Sequence, residues 1–177
     1  KMFGIFQEYQ SWVALMGVPT IGAVNARTLA GDAGGMIKLA EAFHERKFAW
    51  VADTIYDAVV SRGIRMVLIS GPSSSGKTTS AKRLGIQLGV LGLRPVMISL
   101  DDYFVDREKT PLDENGDYDY EALEAIDLDL FNDHLRRLIR GESVDIPRYD
   151  FITGRRMQHD NPLTLDERSI LIIEGIH

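Results

Sequence analysis

One stretch of the sequence combines glycine, lysine and hydroxyl residues at a spacing that suits phosphate binding. Residues 71–78 read Gly-Pro-Ser-Ser-Ser-Gly-Lys-Thr and fit the pattern G-x-x-x-x-G-K-[ST]. In this pattern successive backbone N–H groups form a concave anion site, and Gly71 and Gly76 permit the tight turn. We expect Lys77 to reach the outer phosphates of a nucleotide and the Thr78 hydroxyl to bind Mg²⁺. The other candidate contacts to the nucleotide are Ser73, Ser74, Ser75 and Thr79.

Two elements must hold this loop in place. The apolar run at 66–69 is typical of a buried strand, and it leads directly into the loop. A helix that starts behind the loop adds unpaired N–H groups and the positive end of its dipole. Residues 79–91 carry apolar side chains at helical spacing, namely Ala81, Leu84, Leu88 and Leu91. The order strand, loop, helix therefore predicts a phosphate-binding P-loop.

Carboxylates follow two further apolar runs. Asp101 and Asp102 stand at the end of a predicted strand at 96–100, and Glu174 stands at the end of another at 169–173. Open α/β sheets place their ligands at the carboxyl ends of the strands, so these side chains are expected to face the phosphate loop. Asp101 is the candidate functional carboxylate, and the alternative is that the aspartates cap the following turn. Glu174 is a candidate Mg²⁺ ligand, directly or through water, and the alternative is a carboxylate in a strand-end turn.

The segment between these strands supplies arginine and aromatic side chains. Residues 144–151 are predicted to be extended, and the proline within them favours an edge strand or hairpin over the central sheet. Tyr149 is close in sequence to three arginines, Arg148, Arg155 and Arg156. These arginines could grip a phosphate or a nucleotide-like substrate, or they could form a solvated basic loop. Composition alone does not decide between the two.

A helix is predicted at 128–140, just before this segment. Asp127 is its expected N-cap, and Gly141 is expected to end it. His134 lies on this helix, and we expect it to be exposed rather than bound to a metal.

Composition excludes several classes of protein. The chain has 177 residues, of which 45% are hydrophobic and 26% are charged, as is ordinary for a globular protein. Its net charge of −6 argues against broad binding of nucleic acid, whereas a local loop can still bind the phosphates of a nucleotide. The absence of cysteine excludes disulfides and thiolate metal sites and fits a cytoplasmic location. No apolar run approaches the length of a membrane span, so we expect no membrane partner.

The domain organisation is predicted from the change in pattern along the chain. Residues 1–35 combine loosely helical apolar spacing with small residues, and we interpret them as the end of a preceding module and a linker. Residues 36–63 are predicted to form a connecting helix, which Gly63 ends. Residues 64–177 then form the first part of a phosphate-loop domain. Because the chain begins with Lys1 and stops directly after a strand, we expect it to be a piece of a longer protein.

Four motifs in this order resemble the uridine kinase family and its wider relatives, phosphoribulokinase and pantothenate kinase. They are the loop at 71–78, Ser-Leu-Asp-Asp-Tyr-Phe at 99–104, Ile-Pro-Arg-Tyr-Asp-Phe at 146–151 and Ile-Glu-Gly-Ile-His at 173–177. The resemblance covers about residues 64–177. It implies an α/β fold, in which the parallel sheet of P-loop NTPases is flanked by helices. The N-terminal part resembles a longer variant of the family, in which the kinase domain follows a module similar to those of threonyl-tRNA synthetase. Residues 1–60 would be the end of that module and a connecting helix.

The resemblance implies an ATP-dependent kinase that transfers the γ-phosphate to the primary hydroxyl of a uridine- or cytidine-like nucleoside. By position, Asp101 resembles the general base of the family, while Lys77 stabilises the transferring phosphoryl group. Thr78 and Glu174 resemble the Mg²⁺ ligands, and Asp101 is expected to lie near the ion. ATP and Mg²⁺ are therefore the implied cofactors.

The acceptor side of the resemblance has one departure. Asp119 resembles the carboxylate that holds the ribose hydroxyls, Tyr149 the aromatic residue beside the base, and Arg156 an arginine that contacts the substrate. Pyrimidine-nucleoside kinases usually carry a histidine where this chain has Gly154, which leaves the acceptor open. The alternatives are a kinase of another small alcohol and a nucleotide-gated regulatory or RNA-associated module. The lid of the family would lie beyond residue 177, so we expect little turnover from these residues alone, and a homo-oligomer is possible.

Overall fold

A computed structural model of the chain describes residues 2–157 and 162–176. By its internal contacts the chain divides into two units, residues 1–50 and residues 51–177. Three helices begin in the first unit, and the last of them continues into the second. They are α1 (Met2–Leu15), α2 (Ile21–Leu29) and α3 (Ala33–Arg62). Helices therefore occupy most of a region in which we expected a module end and a linker.

Aromatic and charged contacts hold the helices of the first unit together. Trp12 of α1 stacks on Phe43 of α3, with the ring centroids 5.2 Å apart. Lys47 of α3 pairs with Glu8 of α1, and its Nζ lies 4.6 Å from the centroid of the Trp50 ring. These contacts fix α1 against the N-terminal half of α3. Across the described residues, no helix combines the length and the apolarity that crossing a lipid bilayer requires.

The second unit is built on a parallel sheet. Its other helices are α4 (Lys77–Val90) and α5 (Leu128–Ile139). Its strands are β1 (Met66–Ser70), β2 (Arg94–Ser99), β3 (Val144–Asp145), β4 (Arg148–Asp150), β5 (Arg155–Met157), β6 (Pro162–Leu163) and β7 (Ser169–Gly175). The sheet order is β1-β7-β2, with both pairs parallel. The structure confirms the predicted α/β class with helices flanking a parallel sheet.

The central position of β7 explains its apolar sequence. Every residue of β7 is buried, as is typical of a strand with neighbours on both sides and helices above and below. The register pairs Glu174 of β7 with Ile69 of β1 and with Ser99 of β2. The carboxyl ends of all three strands therefore meet at one edge of the sheet.

Helix α4 carries the phosphate loop to this edge. Its buried face, which includes Leu84 and Leu88, packs on the sheet. The helix begins at Lys77, earlier than the apolar spacing predicted, because Gly76 adopts a left-handed conformation and ends the loop abruptly. Gly85 faces Pro95 of β2, where a Cβ would lie in ordinary van der Waals contact at 3.5 Å from Pro95 Cβ. The start of α4 is thus held beside the strand ends.

Helix α5 begins and ends as predicted, but one residue on it differs. The Asp127 side chain accepts a hydrogen bond from the Leu130 N–H at 3.0 Å, and Gly141 follows the helix with a φ of 79°. The prediction that His134 is exposed is wrong, because His134 packs on Tyr103 and is 7% exposed. Its Nδ1 lies 3.1 Å from the Tyr103 hydroxyl oxygen, and burial lowers the pKa of His134.

Two short antiparallel ladders cover the segment that carries Tyr149. Strand β3 pairs with β6, and β4 pairs with β5. The predicted hairpin is therefore confirmed. Tyr149 packs in the main core together with Tyr103 and Phe104, which follow the end of β2. This packing fixes the hairpin next to the carboxyl end of the sheet.

Candidate active site

The phosphate loop runs from the end of β1 to the start of α4. Its backbone turns through two residues in the left-handed region, Ser74 with a φ of 58° and Gly76 with a φ of 85°. In such a turn the successive N–H groups converge and form an anion site. Among the described residues, Ser74 is the one non-glycine residue with a positive φ. Backbone strain of this kind clusters at binding sites, where the surrounding structure holds it.

The start of α4 adds positive potential to the loop. Because the N-cap residue is Gly76, no side chain caps this end of the helix among the described residues. The first N–H groups of the helix have no partner within it and point toward the loop. The Lys77 Nζ donates to the Pro72 carbonyl oxygen at 2.9 Å, which folds the lysine back across the loop. The ammonium group and the N–H groups are thus concentrated at one small site that suits a polyphosphate.

Glu174 lies at the end of the central strand and receives two hydroxyl groups. Thr78 Oγ1 and Ser99 Oγ each donate to Glu174 Oε1 at 3.1 Å. Glu174 is 9% exposed, and no lysine, arginine or histidine forms an ion pair with it in the described part of the chain. A buried carboxylate without a positive partner is costly. The surroundings of Glu174 therefore favour the binding of a cation.

The residues present fit Mg²⁺. This ion takes hard oxygen ligands and is held in nucleotide sites by one or two protein groups together with waters and phosphates. The Thr78 hydroxyl and the Glu174 carboxylate are oxygen ligands of this kind, and the fold brings them together. No group of three or more acidic, histidine or cysteine side chains gathers into a metal site within residues 2–157 and 162–176. The ligands that the protein does not supply would come from phosphate and water.

One cleft of about 360 Å³ joins the loop to the strand ends. Asp101 lines it from a short 3₁₀ helix after β2 (Leu100–Tyr103), and Glu174 lines it from β7. The loop residues that line it are Ser73, Ser74, Ser75, Gly76, Lys77, Thr78 and Thr79. The structure thus brings most of the nucleotide-side residues that we predicted into a single cleft.

Adjacent aspartates line different cavities. Asp101 lines the loop cleft, whereas Asp102 lines a separate cavity of about 230 Å³ together with Arg148. The Asp102 Oδ1 accepts a hydrogen bond from the Tyr149 N–H at 3.3 Å. Burial raises the pKa of Asp102, although this hydrogen bond and the nearby Arg148 act in the opposite direction. Asp102 therefore anchors the hairpin, and Asp101 is the aspartate that faces the phosphate loop.

Asp119 lies in a turn beside the phosphate loop. Its Oδ1 accepts hydrogen bonds from the N–H groups of Glu121 at 2.9 Å and Ala122 at 3.1 Å. Glu121 lines a second cleft of about 370 Å³ with Gly71 and Ile176, and Ile176 also lines the loop cleft. Asp119 therefore stabilises a turn that borders the site, and its contact with a ribose stays a prediction.

Tyr149 belongs to an aromatic cluster formed by Phe104, Tyr120, Tyr149 and Phe151. The Phe104 ring packs edge-on against the other three, with centroids 5.4 Å, 5.5 Å and 6.1 Å away in chain order. Tyr149 is 4% exposed, and its hydroxyl lies beside the hydroxyl of Tyr120. Burial, together with the neighbouring Tyr120, raises the pKa of Tyr149 to about 12. Tyr149 is therefore a packed member of this cluster, and its contact with a base stays a prediction.

Arg156 lines a different cavity from the phosphate loop. Its Nη1 pairs with Asp127 Oδ2 at 2.7 Å, and its backbone N–H donates to Asp106 Oδ1 at 3.1 Å. The cavity, of about 330 Å³, is also lined by His134. Arg156 is therefore part of an ion pair with the N-cap of α5, and its contact with a substrate stays a prediction.

Two residues near the site were not predicted from the sequence. Ser99 orients Glu174. Its position at the end of a predicted strand, close to Asp101 in sequence, could have indicated a role at the site. Arg107 lies against Gly154, and its backbone N–H donates to the Gly154 carbonyl oxygen at 2.8 Å. No local pattern marks Arg107. Gly154 was the one indication in the sequence, because a position without a side chain leaves space that another residue can occupy.

Comparison with known proteins identifies relatives of this chain. The profile of the Phosphoribulokinase / Uridine kinase family matches residues 66–177. The uridine kinase of Schizosaccharomyces pombe (strain 972 / ATCC 24843) is 39% identical over 117 residues, which are 65% of this chain and 25% of that protein. The uridine kinase of Chloroflexus aurantiacus (strain ATCC 29366 / DSM 635 / J-10-fl) is 33% identical over 108 residues, which are 61% of this chain and 50% of that protein. The chain therefore spans half or less of the length of these curated relatives.

A solved structure has the same architecture. It is described as a possible uridine kinase from Bacillus stearothermophilus and superposes with a TM-score of 0.58 at 27% identity. The superposition covers 73% of this chain and 70% of that chain. Because the family profile spans the phosphate loop, both strand-end carboxylates and the hairpin, the chain belongs to the Phosphoribulokinase / Uridine kinase family.

Proposed function

We propose that this chain forms the phosphate-binding part of a kinase that transfers the γ-phosphate of ATP to the primary hydroxyl of a nucleoside. The observation that carries the proposal is the single cleft in which the phosphate loop, Asp101 and Glu174 meet. The loop offers N–H groups and a lysine for phosphates, and Asp101 offers a carboxylate that can accept a proton. The uridine kinases among the relatives support this activity.

In the proposed reaction, Asp101 orients the acceptor hydroxyl and takes its proton. The hydroxyl oxygen bonds to the γ-phosphorus while the bond from that phosphorus to the bridging oxygen breaks, and ADP leaves. Lys77 and the loop N–H groups stabilise the charge on the transferring group. Since the transition state of phosphoryl transfer is loose, Asp101 acts mainly by orientation and receives the proton late.

Thr78 and Glu174 would hold Mg²⁺, with Asp101 beside it. When bound, the ion neutralises charge on the phosphate oxygens. The Thr78 and Ser99 hydroxyls orient the buried Glu174 carboxylate through Oε1. Thr78 is therefore a candidate ligand of the ion. Ser99 is a positioning residue, because it orients the Glu174 carboxylate.

The acceptor would bind beyond Asp101, next to the aromatic cluster. Asp119 would bind the ribose hydroxyls through Oδ2, because its own turn uses Oδ1. Tyr149 would lie beside a uracil- or cytosine-like base. Arg156 would have to leave Asp127 in order to reach a substrate, so its role depends on a rearrangement.

The N-terminal residues would belong to a second module. In this proposal residues 1–35 are the end of a module similar to one in threonyl-tRNA synthetase. Residues 36–63 form a helix that connects this module to the kinase domain, to which residues 64–177 belong. The start of the family match at residue 66 supports the position of the second boundary.

The test uses the full-length protein with ATP, Mg²⁺ and a panel of nucleosides, ribulose 5-phosphate and pantothenate, with ADP and phosphorylated product measured. Asp101→Asn should lower kcat by about 10²–10⁴-fold while ATP binding stays unchanged. The matched control is Asp102→Asn, whose amide oxygen can still accept the hydrogen bond from the Tyr149 N–H. That variant should keep most of the activity.

Different outcomes separate the alternatives. Product from a non-nucleoside acceptor alone would point to a kinase of another small alcohol. Clear ATP binding without product from any acceptor would contradict the proposal and favour a nucleotide-gated regulatory module. Equal loss of activity in Asp101→Asn and Asp102→Asn would refute the assignment of the base.

A further inference from the structure

Position 154 has no room for a side chain. Gly154 has a φ of 69°, and a Cβ there would lie 2.6 Å from Arg107 Nε and 2.8 Å from Arg107 Cβ. The Arg107 backbone N–H donates to the Gly154 carbonyl oxygen, so the two backbones are fixed against each other. Because Arg107 Cβ moves only with its backbone, a change of rotamer cannot relieve this contact. The position of Arg107 therefore requires glycine at residue 154.

The guanidinium group of Arg107 is held by neutral groups. Its Nε donates to the Tyr120 hydroxyl at 3.2 Å, and its Nη2 donates to the Phe151 carbonyl oxygen at 2.6 Å. Among the described residues, no carboxylate pairs with Arg107 and no acceptor binds its Nη1. Arginine stays protonated in proteins, so Arg107 presents a positive charge and a free donor.

Arg107 borders the aromatic cluster on the acceptor side of Asp101. Both groups that hold its guanidinium, Tyr120 and Phe151, belong to this cluster. The same cluster contains the buried Tyr149, whose hydroxyl lies beside that of Tyr120. Phe104 of the cluster follows Asp101 closely in sequence, and its N–H donates to the Asp101 carbonyl oxygen at 3.4 Å. Arg107, whose Nη1 donor is unused among the described residues, thus lies against the aromatic cluster next to the proposed base.

We propose that Arg107 determines the specificity for the acceptor by reading the far edge of its base, and that it selects a carbonyl oxygen there over an amino group. This inference rests on the proposed nucleoside kinase activity. A guanidinium has donors only, so it binds a carbonyl oxygen but cannot accept from an amino group. A histidine can donate or accept according to its tautomer, and would tolerate both edges. The aromatic rings stack on any base and do not distinguish these groups.

The test compares two pairs of acceptors that differ at this edge, uridine with cytidine and inosine with adenosine, on the full-length protein. In each pair kcat/KM for the carbonyl member should exceed that of the amino member by about tenfold or more, mainly through KM. Arg107→Gln can donate and accept, and should bring both ratios close to one. Arg107→Lys keeps a donor-only cation and should retain the preference with weaker binding.

A merely structural role of Arg107 predicts another result. If Arg107 only holds the hairpin, Arg107→Gln lowers kcat/KM for all four nucleosides equally and leaves the ratios unchanged, which overturns the inference. Binding of the four nucleosides to Asp101→Asn gives the same ratios without turnover. If Arg107→Gln does not fold, loss of these ratios in Asp101→Asn/Arg107→Lys overturns the inference, because a donor-only cation should retain the preference. Equal kcat/KM for both members of each pair in the wild type overturns the specificity role of Arg107 and leaves the proposed kinase activity standing. Phosphorylation of no nucleoside at all overturns the proposed function instead.

Discussion

Lys77 and Glu174 at the candidate site are held by neutral groups rather than by each other. Lys77 donates to the Pro72 carbonyl oxygen, and Glu174 accepts from the hydroxyls of Thr78 and Ser99. Neither residue forms an ion pair among the described residues. A charge that is oriented but not neutralised within the protein interacts strongly with a ligand of opposite charge. This arrangement suits a phosphate at Lys77 and a metal ion at Glu174.

The first prediction concerns the charge of Glu174. In Glu174→Gln the amide oxygen can still accept from the Thr78 and Ser99 hydroxyls, so the fold should be kept while the charge is lost. We expect the Mg²⁺ concentration for half-maximal turnover to rise by about tenfold or more. In metal-free buffer the variant should be at least as stable as the wild type, because a buried unpaired charge is removed.

Two measurements check this prediction. The Mg²⁺ requirement is titrated at saturating ATP, and the free energy of unfolding is obtained from urea denaturation with a chelator present. Ser99→Ala is the control, since it removes one hydroxyl from the carboxylate and leaves the charge. An unchanged Mg²⁺ requirement in Glu174→Gln would show that Glu174 does not bind the ion.

At the scale of elements, the geometry of the site depends on a close approach between β7 and the 3₁₀ helix after β2. A Cβ at Gly175 would lie 2.7 Å from Leu100 Cδ1 and 2.8 Å from Leu100 Cβ. Gly175 directly follows Glu174, and Leu100 directly precedes Asp101. The glycine therefore sets the distance between the two carboxylates of the cleft.

The second prediction follows from this contact. Gly175→Ala should force the two elements apart, lower the free energy of unfolding by about 1–3 kcal/mol and reduce kcat/KM. The matched control is Gly89→Ala on α4, where a new Cβ meets nothing within 4 Å. Alanine in a helix is favoured over glycine, so this control should raise the free energy of unfolding by about 0.5–1 kcal/mol without changing turnover. Urea denaturation and steady-state kinetics on both variants check the pair, and a harmless Gly175→Ala would contradict the role of the contact.

At the scale of the whole molecule, the core links the site to helix α5. Tyr103 follows Asp101 and Asp102, is fully buried and packs on Phe131 and His134 of α5. Burial lowers the pKa of His134, so the folded protein binds its proton less readily than the unfolded chain does. The stability from this neutral histidine is complete above its ordinary pKa of about 6.5. It is lost as the pH falls from there toward the lower pKa of the folded state.

The third prediction is a pH dependence that His134 causes. Between about pH 7.5 and about pH 5.5 the wild type should lose more free energy of unfolding than His134→Asn, which has no group that titrates in this range. The measurement is urea denaturation of both proteins at the two pH values. The same loss in both proteins, or a larger loss in the variant, would mean that His134 does not titrate between the folded and unfolded states as inferred.

The parts of this protein that have a local signature were predictable from the amino-acid sequence. The pattern G-x-x-x-x-G-K-[ST] between an apolar run and an amphipathic helix was sufficient for the loop, because turn, strand and helix preferences act over a few residues. Apolar runs that end in carboxylates were sufficient for the sheet edge, because parallel strands bring their carboxyl ends together. The N-cap at Asp127 and the hairpin around Tyr149 were predictable for the same local reasons.

Contacts between residues far apart in the chain became visible in the folded structure alone. It directs Asp101 to the loop and Asp102 to the hairpin, because Asp102 is bound by the Tyr149 N–H, 47 residues away in sequence. It buries His134 through a contact with Tyr103, 31 residues away. Arg107 reaches the Phe151 carbonyl oxygen over 44 residues and occupies the space that Gly154 leaves open. Contacts at such separations depend on how whole elements pack, and no pattern within a single segment specifies them.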